Sequence, residues 1–183
     1  MNRIAAALAV AILHADAPAA AEIETVAVET KTGKLERWWP KVAPPKGWHH
    51  DRPNSLNYNL NAMAPEGDSF SNAEVVLYAR AVKKASDTSL HSLADFIARE
   101  RNSFLKRTPG YTVREEKALV TKEGAGMPVR SFVPKTDGNW ERVAYLEDND
   151  HWLVFVASAR SKKALDGVLR NFQAMAWQYR RGP

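Results

Sequence analysis

The side chains best suited to metal chemistry occur in one short segment. Residues Ala43–Asn54 read APPKGWHHDRPN, so His49, His50 and Asp51 follow one another directly. In an extended chain neighbouring side chains point to opposite sides, so His49 and Asp51 would converge while His50 turns away. Imidazole together with carboxylate suits zinc, copper or nickel. The segment therefore predicts a candidate metal site at His49 and Asp51, and a stiff, solvated loop is the alternative.

A second group of carboxylate and imidazole side chains lies in the sequence EDNDH. It contains Asp148, Asp150 and His151. A transition-metal site needs three or four ligands, and these residues are candidates to supply the missing ones. The alternative is a hairpin turn, because Asp and Asn form local hydrogen bonds in turns. A divalent metal is the only cofactor that the sequence indicates.

Aromatic residues border the same proline-rich segment. Trp38 and Trp39 are adjacent, so in a strand they cannot both face one core. One of them is therefore expected to be exposed or covered by the loop, and an exposed aromatic near basic residues can contact a partner. Burial under the loop is the alternative. The predicted binding residues are Trp38, Trp39, Trp48 and Arg52. The other tryptophans are expected in the core or on a sheet face: Trp140, Trp152 and Trp177.

The sequence offers no convincing catalytic nucleophile. It contains no cysteine and no G-x-S-x-G. Ser103 and Lys106 spell S-x-x-K, but the K-T-G that should follow occurs only at Lys31–Gly33, before the serine. Glu115 and Glu116 are neighbours in a predicted strand and so point apart, which does not suit a paired acid and base. We therefore expect no catalytic residues and no enzyme; a hydrolase acting on envelope polymers is the remaining catalytic alternative.

The N-terminal residues have the layout of a secretory signal peptide. Met1–Arg3 carry positive charge, Ile4–Leu13 form an apolar run, and small residues lead to a candidate cleavage site at Ala19–Ala21. The apolar run is much shorter than the roughly 20 residues that cross a bilayer. We expect residues 1–21 to be removed and residues 22–183 to fold as one domain. The mature protein is then periplasmic or secreted, without a transmembrane segment.

The net charge indicates what kind of partner the protein binds, and the cysteine content excludes disulfides. The chain has 26 Lys and Arg against 21 Asp and Glu, which gives a net charge of +5. A positive field favours anionic neighbours. The basic residues are scattered instead of clustered, and an exported protein seldom meets nucleic acid. The predicted partner is therefore an envelope protein or an anionic envelope component, and not nucleic acid. Without cysteine the fold cannot depend on disulfides.

The first part of the mature chain is predicted to consist mainly of strands. Residues 22–41 form an N-terminal hairpin, because two strand-like segments flank the turn KTGK. The stretch from Pro40 to Pro53 breaks regular structure. Residues 55–64, SLNYNLNAMA, alternate apolar and Asn positions, which predicts a half-buried strand with a polar face. The segment AEVVLYARAV predicts a more deeply buried strand.

The second part predicts two helices and four strands. Ser89 is a candidate N-cap for a helix that runs to Arg107 with apolar residues at helical spacing. Four strands joined by short turns follow, and Ser161 caps a closing helix. Short turns require antiparallel pairing, and each amphipathic helix must cover a sheet face. The predicted fold class is α+β, an antiparallel β-sheet flanked by helices.

The order of these elements resembles the PsbP-like and DcrB-like family. The resemblance is carried by APPKGWHHDR and LNYNLNA, by AEVVLYARAVKKASDTSLHSLADFIARERNSFL, and by GMPVRSFVPKTDGNWERVAYLEDNDHWLVFVASARSKKALDGVLRNFQ, so it spans most of Val42 to Gln178. It implies a PsbP-like α/β/α sandwich and a non-catalytic accessory role through protein binding, with no catalytic residues to transfer. The chain lacks the acylated cysteine of the lipoprotein members. We therefore expect a periplasmic accessory or binding protein; the alternative is an envelope metal-binding protein using His49 and Asp51.

Overall fold

A computed structural model describes residues 23–31 and 33–181 of the chain. The predicted signal segment, residues 1–21, lies outside them. Along the described residues the strands and helices are β1 (Ile23–Thr30), β2 (Gly33–Pro40), β3 (Trp48–His50), α1 (Arg52–Tyr58), β4 (Asn61–Pro65), β5 (Val75–Lys83), α2 (Leu93–Arg107), β6 (Tyr111–Val120), β7 (Gly126–Pro134), β8 (Trp140–Asp148), β9 (His151–Ala159) and α3 (Lys162–Gln178). A short 3-10 turn, Lys84–Ser86, follows β5. None of the described helices is long and apolar enough to cross a bilayer.

The strands form one large sheet and one hairpin. The large sheet has seven strands in the order β3-β4-β5-β9-β8-β7-β6, and β1 pairs with β2 separately. Every pairing is antiparallel. The four predicted strands after the first long helix are β6 to β9, joined in sequence by tight turns. The predicted α+β class is therefore confirmed.

The central strand β9 is buried on both faces of the sheet. Its sequence, HWLVFVASA, is almost continuously apolar, as expected for a strand that is covered on two sides. Its side chains alternate between two hydrophobic clusters: Leu153, Phe155 and Ala157 on the face covered by α3, and Trp152, Val154 and Val156 on the face covered by α2. The two long helices therefore lie on opposite faces of the sheet.

The long helices begin at serine caps. Ser161 Oγ accepts a hydrogen bond from the Ala164 N–H at 3.2 Å and starts α3, as predicted. The start predicted for α2 was wrong, because its cap is Ser92 and not Ser89. Ser92 Oγ accepts from the Asp95 N–H at 3.1 Å, and Asp95 lies in the first turn, where a carboxylate is favourable. Ser89 instead bonds to Asp87 in the preceding turn.

The strand predicted for residues 55–64 was half wrong, because its first half is the helix α1. Asp51 Oδ1 caps this helix by accepting a hydrogen bond from the Asn54 N–H at 3.2 Å. Pro53 lies in the first turn, where a missing N–H costs nothing. Asn59 ends the helix in the left-handed region, at a φ of 55°. Only Asn61–Pro65 is a strand, so the asparagines do not share a polar face.

The proline-rich stretch is less irregular than predicted. Gly47 adopts a φ of 81°, a left-handed conformation that glycine accepts readily. After this turn β3 pairs with β4 over three residues, with His50 opposite Met63. The segment therefore forms the last strand at one edge of the sheet.

Loss of the Asp51 cap should destabilise the protein measurably. Asp51 Oδ2 also accepts hydrogen bonds from the Phe70 N–H and the Asn54 side-chain amide, each at 2.9 Å. We expect Asp51→Ala to lower the free energy of unfolding by roughly 2 kcal/mol, because the cap is lost and buried donors lose their partner. Asp51→Asn keeps one acceptor oxygen, so its free energy of unfolding should lie between that of the unsubstituted protein and that of Asp51→Ala. Urea denaturation measures this, and Asp68→Ala, an exposed aspartate nearby, should change stability by less than about 0.5 kcal/mol. Equal losses in Asp51→Ala and Asp68→Ala would contradict the assignment.

Candidate functional site

Two of the predicted binding residues hold the N-terminal hairpin against the domain. Trp39 is 0% exposed, and its indole Nε1 donates to Glu24 Oε2 at 2.9 Å. The Arg52 guanidinium lies 5.1 Å from the Trp39 ring centroid and donates to Glu24 Oε1 at 2.5 Å. Burial alone would raise the pKa of Glu24, but the hydrogen bonds from Arg52 and Trp39 outweigh it and hold that pKa below its usual value. The prediction of a partner contact at Trp39 is corrected, because this residue has no accessible surface.

The other two predicted tryptophans are half-buried and also have intramolecular partners. Trp38 Nε1 donates to the Ala81 carbonyl at 3.1 Å. Lys83 Nζ lies 4.3 Å from the centroid of the Trp38 ring. Trp48 packs against the hydrophobic cluster on the α3 side of the sheet. Through these contacts Trp38 holds the N-terminal hairpin, and Trp48 the proline-rich segment, against the rest of the domain.

The first predicted metal site has only two candidate ligands, and one of them is occupied. His49 Nδ1 lies 4.0 Å from Glu66 Oε2. Asp51 is buried and directs its carboxylate at the hydrogen-bond donors of α1 and Phe70. Burial would raise the pKa of Asp51, but these hydrogen bonds outweigh it and lower the pKa. Asp51 therefore acts as a helix cap in this structure.

The second predicted metal cluster is also dispersed. Asp148 is buried and accepts a hydrogen bond from the Tyr179 hydroxyl. His151 is opposite Asp148 in the hairpin register, and burial, together with nearby Lys83, lowers its pKa. Across residues 23–31 and 33–181, no group of three or more His, Asp or Glu side chains is placed to hold a metal ion. The metal hypothesis stays a prediction that the geometry does not favour.

A different site lies between α2 and the sheet, and we call it the α2 cleft. It is a cavity of about 680 Å³, within the roughly 300–1,000 Å³ typical of small-molecule sites. It is lined by aromatic side chains together with polar and charged groups, which come from both the sheet and α2. The aromatic residues are Tyr58, Phe70, Tyr78, Phe104, Phe132 and Tyr145. The polar residues are Arg80, Glu100, Arg107, Asn139, Glu141 and Ser158.

The strand register explains why these polar groups meet on one face. Side chains two residues apart on a strand point the same way, so Tyr78 and Arg80 of β5 share a face. Ser158 of β9 stands opposite Glu141 of β8, on the same face as the aliphatic residues that contact α2. The polar side chains are therefore inserted into a surface that is otherwise part of the α2-side core.

An ion pair joins the sheet to the helix within the cleft. Arg80 of β5 pairs with Glu100 of α2, and both side chains are partly buried. Because the two charges neutralise one another, the pair contributes a polar surface with little net charge. It also fixes the position of α2 over the sheet.

Glu141 is the most strongly perturbed carboxyl group in the cleft. Burial raises the pKa of Glu141 to about 7, although a hydrogen bond from Ser158 and the charge of Arg80 oppose the shift. Ser158 Oγ donates to Glu141 Oε1 at 3.1 Å, and the Asn139 amide donates to Ser158 Oγ at 3.2 Å. Near neutral pH this carboxyl group is therefore present in both its protonated and its ionised form.

Two of the cleft tyrosines, Tyr78 and Tyr145, have pKa values raised by burial. Burial raises the pKa of Tyr78 and the pKa of Tyr145 above the usual tyrosine value, and the nearby Glu141 and Glu100 carboxylates add to both shifts. Their hydroxyl groups stay protonated at physiological pH, so they can donate or accept hydrogen bonds. Perturbed groups that converge in an aromatic cleft are typical of a binding or catalytic site.

These residues are not among those predicted from the sequence, although the sequence contains a signal for them. VVLYARAVK and WERVAYLED place Arg80 and Glu141 at positions that should be apolar on strands of a covered sheet. A charged residue at such a position needs a partner or a function. What the sequence does not reveal is that the two strands are separated only by β9, which brings these residues to the same cleft.

Comparisons with known proteins do not assign a family. No protein-family model matches the sequence, and no curated protein resembles it significantly. The solved structure of a protein of unknown function from Pseudomonas aeruginosa is similar with a TM-score of 0.49 at 13% identity, over 87% of this chain and 99% of that one. A likeness this distant carries no conclusion about family or activity.

Ionisation of Glu141 should make the protein less stable as the pH rises. Its pKa is about 7 in the folded state against 4.5 as the reference value, so the folded state binds the proton more tightly. Protonation of Glu141 therefore stabilises the folded state fully below about pH 4.5. This stabilisation is lost as the pH rises through 7, and its upper bound is roughly 3 kcal/mol. Urea denaturation at pH 5 and pH 8 measures it: the fall should be smaller in Glu141→Gln and unchanged in Glu36→Gln, an exposed hairpin residue. An identical fall in all three proteins would contradict this.

Proposed function

We propose that the protein is a non-catalytic binding protein of the cell envelope and that it binds a small polar ligand in the α2 cleft. The observation that carries the proposal is the cleft itself, where Arg80, Glu100 and Glu141 converge among aromatic side chains. Aromatic side chains supply rigid contact area, and a few placed polar groups supply orientation. This combination is typical of a site that recognises a molecule by both shape and hydrogen bonding.

The charges of the cleft favour a neutral or zwitterionic ligand. Arg80 and Glu100 neutralise one another, and burial raises the pKa of Glu141 to about 7, which reduces its negative charge at neutral pH. Arg107 remains as an exposed cation among the lining residues. A ligand with several like charges would have to break the ion pair or leave one of its own charges unpaired, which is costly at a partly buried site.

The arrangement of Ser158 supports binding in preference to catalysis. The Ser158 hydroxyl donates to Glu141, a cleft carboxyl that could act as a base, but Ser158 lies within the central strand β9. Its strand pairs on both sides, with Val76 and with Glu141. The neighbouring backbone N–H groups are therefore used in the sheet, and none is left to stabilise an oxyanion, which hydrolysis by a serine would require.

The envelope location rests on the sequence. The predicted signal at residues 1–21 supports export, and the net charge of +5 suits an anionic envelope. The resemblance to PsbP-like and DcrB-like proteins supports an accessory role in place of an enzymatic one. We propose that the partner is an envelope component whose recognised part fits the α2 cleft.

Ligand binding in the α2 cleft can be tested with defined probes. We expect neutral saccharides or zwitterionic peptides to perturb the NMR signals of α2 and β8, with dissociation constants in the micromolar to millimolar range. Glu141→Gln should weaken binding several-fold, and Arg80→Met should weaken it further, because both remove polar groups that line the cleft. Glu36→Gln is the matched control and should bind as the original chain does.

Two outcomes would contradict this proposal. Perturbations confined to residues outside the cleft would place the ligand elsewhere. Hydrolysis of a saccharide or peptide probe that is abolished by Glu141→Gln or Ser158→Ala would replace the binding function by the catalytic alternative.

Export is tested separately. Expression in a bacterium with an outer membrane should yield protein in the periplasmic fraction whose first residue is Glu22, because cleavage follows Ala21. Replacing Leu8 and Ile12 by charged residues should keep the unprocessed chain in the cytoplasm. Recovery of periplasmic protein that retains Met1, or cytoplasmic protein that begins at Met1 in the unsubstituted chain, would contradict the signal assignment.

A further inference from the structure

A second cavity lies on the opposite face of the sheet, and we call it the β6–α3 groove. It measures about 740 Å³ and runs between strand β6 and helix α3. It shares no lining residue with the α2 cleft. A ligand bound in this groove would therefore contact none of the residues that line the α2 cleft.

The body of the groove is apolar and leaves large hydrophobic side chains exposed. Trp177 is 48% exposed and Val120 is 55% exposed, so the prediction of Trp177 as a core or sheet-face residue was wrong. The apolar lining is formed mainly by Leu119, Val120, Val129, Leu169, Phe172 and Trp177. Single exposed hydrophobic residues are common on protein surfaces, but exposed hydrophobic residues that together line a cavity mark a binding site.

The edge of the groove carries surplus positive charge. Lys117 and Arg170 line it, and in the described part of the chain neither has an ion-pair partner. Glu116 is the one acidic residue in the lining, and its carboxylate is already bound by Arg142 at 3.0 Å and by the Ser131 hydroxyl. Lys117 and Arg170 therefore line an apolar cavity whose one carboxylate, Glu116, is already paired with other residues.

The backbone of β6 places one of these cations. The register between β6 and β7 shifts between Glu116 and Leu119, so Lys117 and Ala118 have no partner residue on β7. A bulge of this kind turns side chains away from the regular alternation of a strand. Lys117, Ala118, Leu119 and Val120 accordingly all line the groove.

We propose that the β6–α3 groove binds one long-chain carboxylate, a fatty-acid anion, with its acyl chain in the groove and its carboxylate at Lys117 and Arg170. The volume suits a single small molecule, and an apolar cavity with cations at its edge complements an amphiphile with one anionic end. A membrane surface is disfavoured because the apolar residues line a cavity instead of projecting from a broad basic face, which interfacial binding requires.

The test uses the full chain and sodium dodecanoate below its micelle concentration. Isothermal titration calorimetry should show binding with a dissociation constant in the micromolar range. Tryptophan emission should shift to shorter wavelength because Trp177 becomes covered. Trp177→Phe should lose that shift while the heat of binding remains.

Variants locate both ends of the ligand. Lys117→Gln combined with Arg170→Gln should weaken binding roughly tenfold or more, because the carboxylate loses its charged partners. Lys163→Gln, on the exposed start of the same helix α3, is the matched control and should change nothing. Val120→Asp should weaken binding by a similar factor through repulsion and lost apolar contact, and Leu35→Asp, at another exposed hydrophobic residue, should not.

The remaining outcomes separate this proposal from its competitors. No heat with dodecanoate, equal affinity for uncharged dodecyl maltoside, or binding that survives both the Lys117/Arg170 and the Val120 substitutions would each overturn it. Binding to vesicles of anionic phospholipid without binding to dodecanoate would overturn it in favour of a membrane surface. Glu141→Gln should leave dodecanoate binding unchanged, so failure here and failure of the α2 cleft are distinguishable.

Discussion

The burial of β9 between two helices is the constraint on which the remaining structure depends. A strand covered on both faces must carry apolar side chains at nearly every position, and HWLVFVASA does so. Its backbone groups pair with β5 on one side and β8 on the other. Because α2 and α3 cover opposite faces of this strand, the sheet acquires two separate helix-to-sheet interfaces. Each interface is incompletely filled, and the α2 cleft and the β6–α3 groove are the unfilled parts.

Much of this architecture follows from the sequence because hydrophobic periodicity is a local signal. The meander β6 to β9, the helix α3 and its Ser161 cap were predicted from alternation, turns and spacing alone. The misassigned segment, residues 55–64, shows the limit. Its alternation of Asn with apolar residues favours a strand, yet Asp51 and Pro53 start a helix just before it. A capping interaction that precedes a segment can outweigh a short periodic pattern, and here it did.

The candidate sites were harder to predict because they depend on contacts between distant residues. The histidines and tryptophans near residue 50 are residue types common in binding sites, but Trp39, Arg52 and Asp51 are used in packing and capping. Glu141 is not conspicuous by residue type, although its position on a covered strand is a signal. Its raised pKa arises from burial in the folded protein, which no local pattern records. Residue type alone is therefore a weak guide to a candidate site in this chain, and a charged residue at a position expected to be buried is a better one.

The two edge strands of the seven-stranded sheet, β3 and β6, are poorly suited to pairing with strands of another copy of the chain. At one end β3 contributes only three residues, too few to offer a long template for pairing with a foreign strand. At the other end β6 is long, but it carries Arg114, Glu115 and Lys117 and is interrupted by its bulge. Charges and bulges on outermost strands oppose edge-to-edge polymerisation. The irregularity in β6 that accompanies the placement of Lys117 in the groove therefore also disfavours edge-to-edge pairing at this end of the sheet.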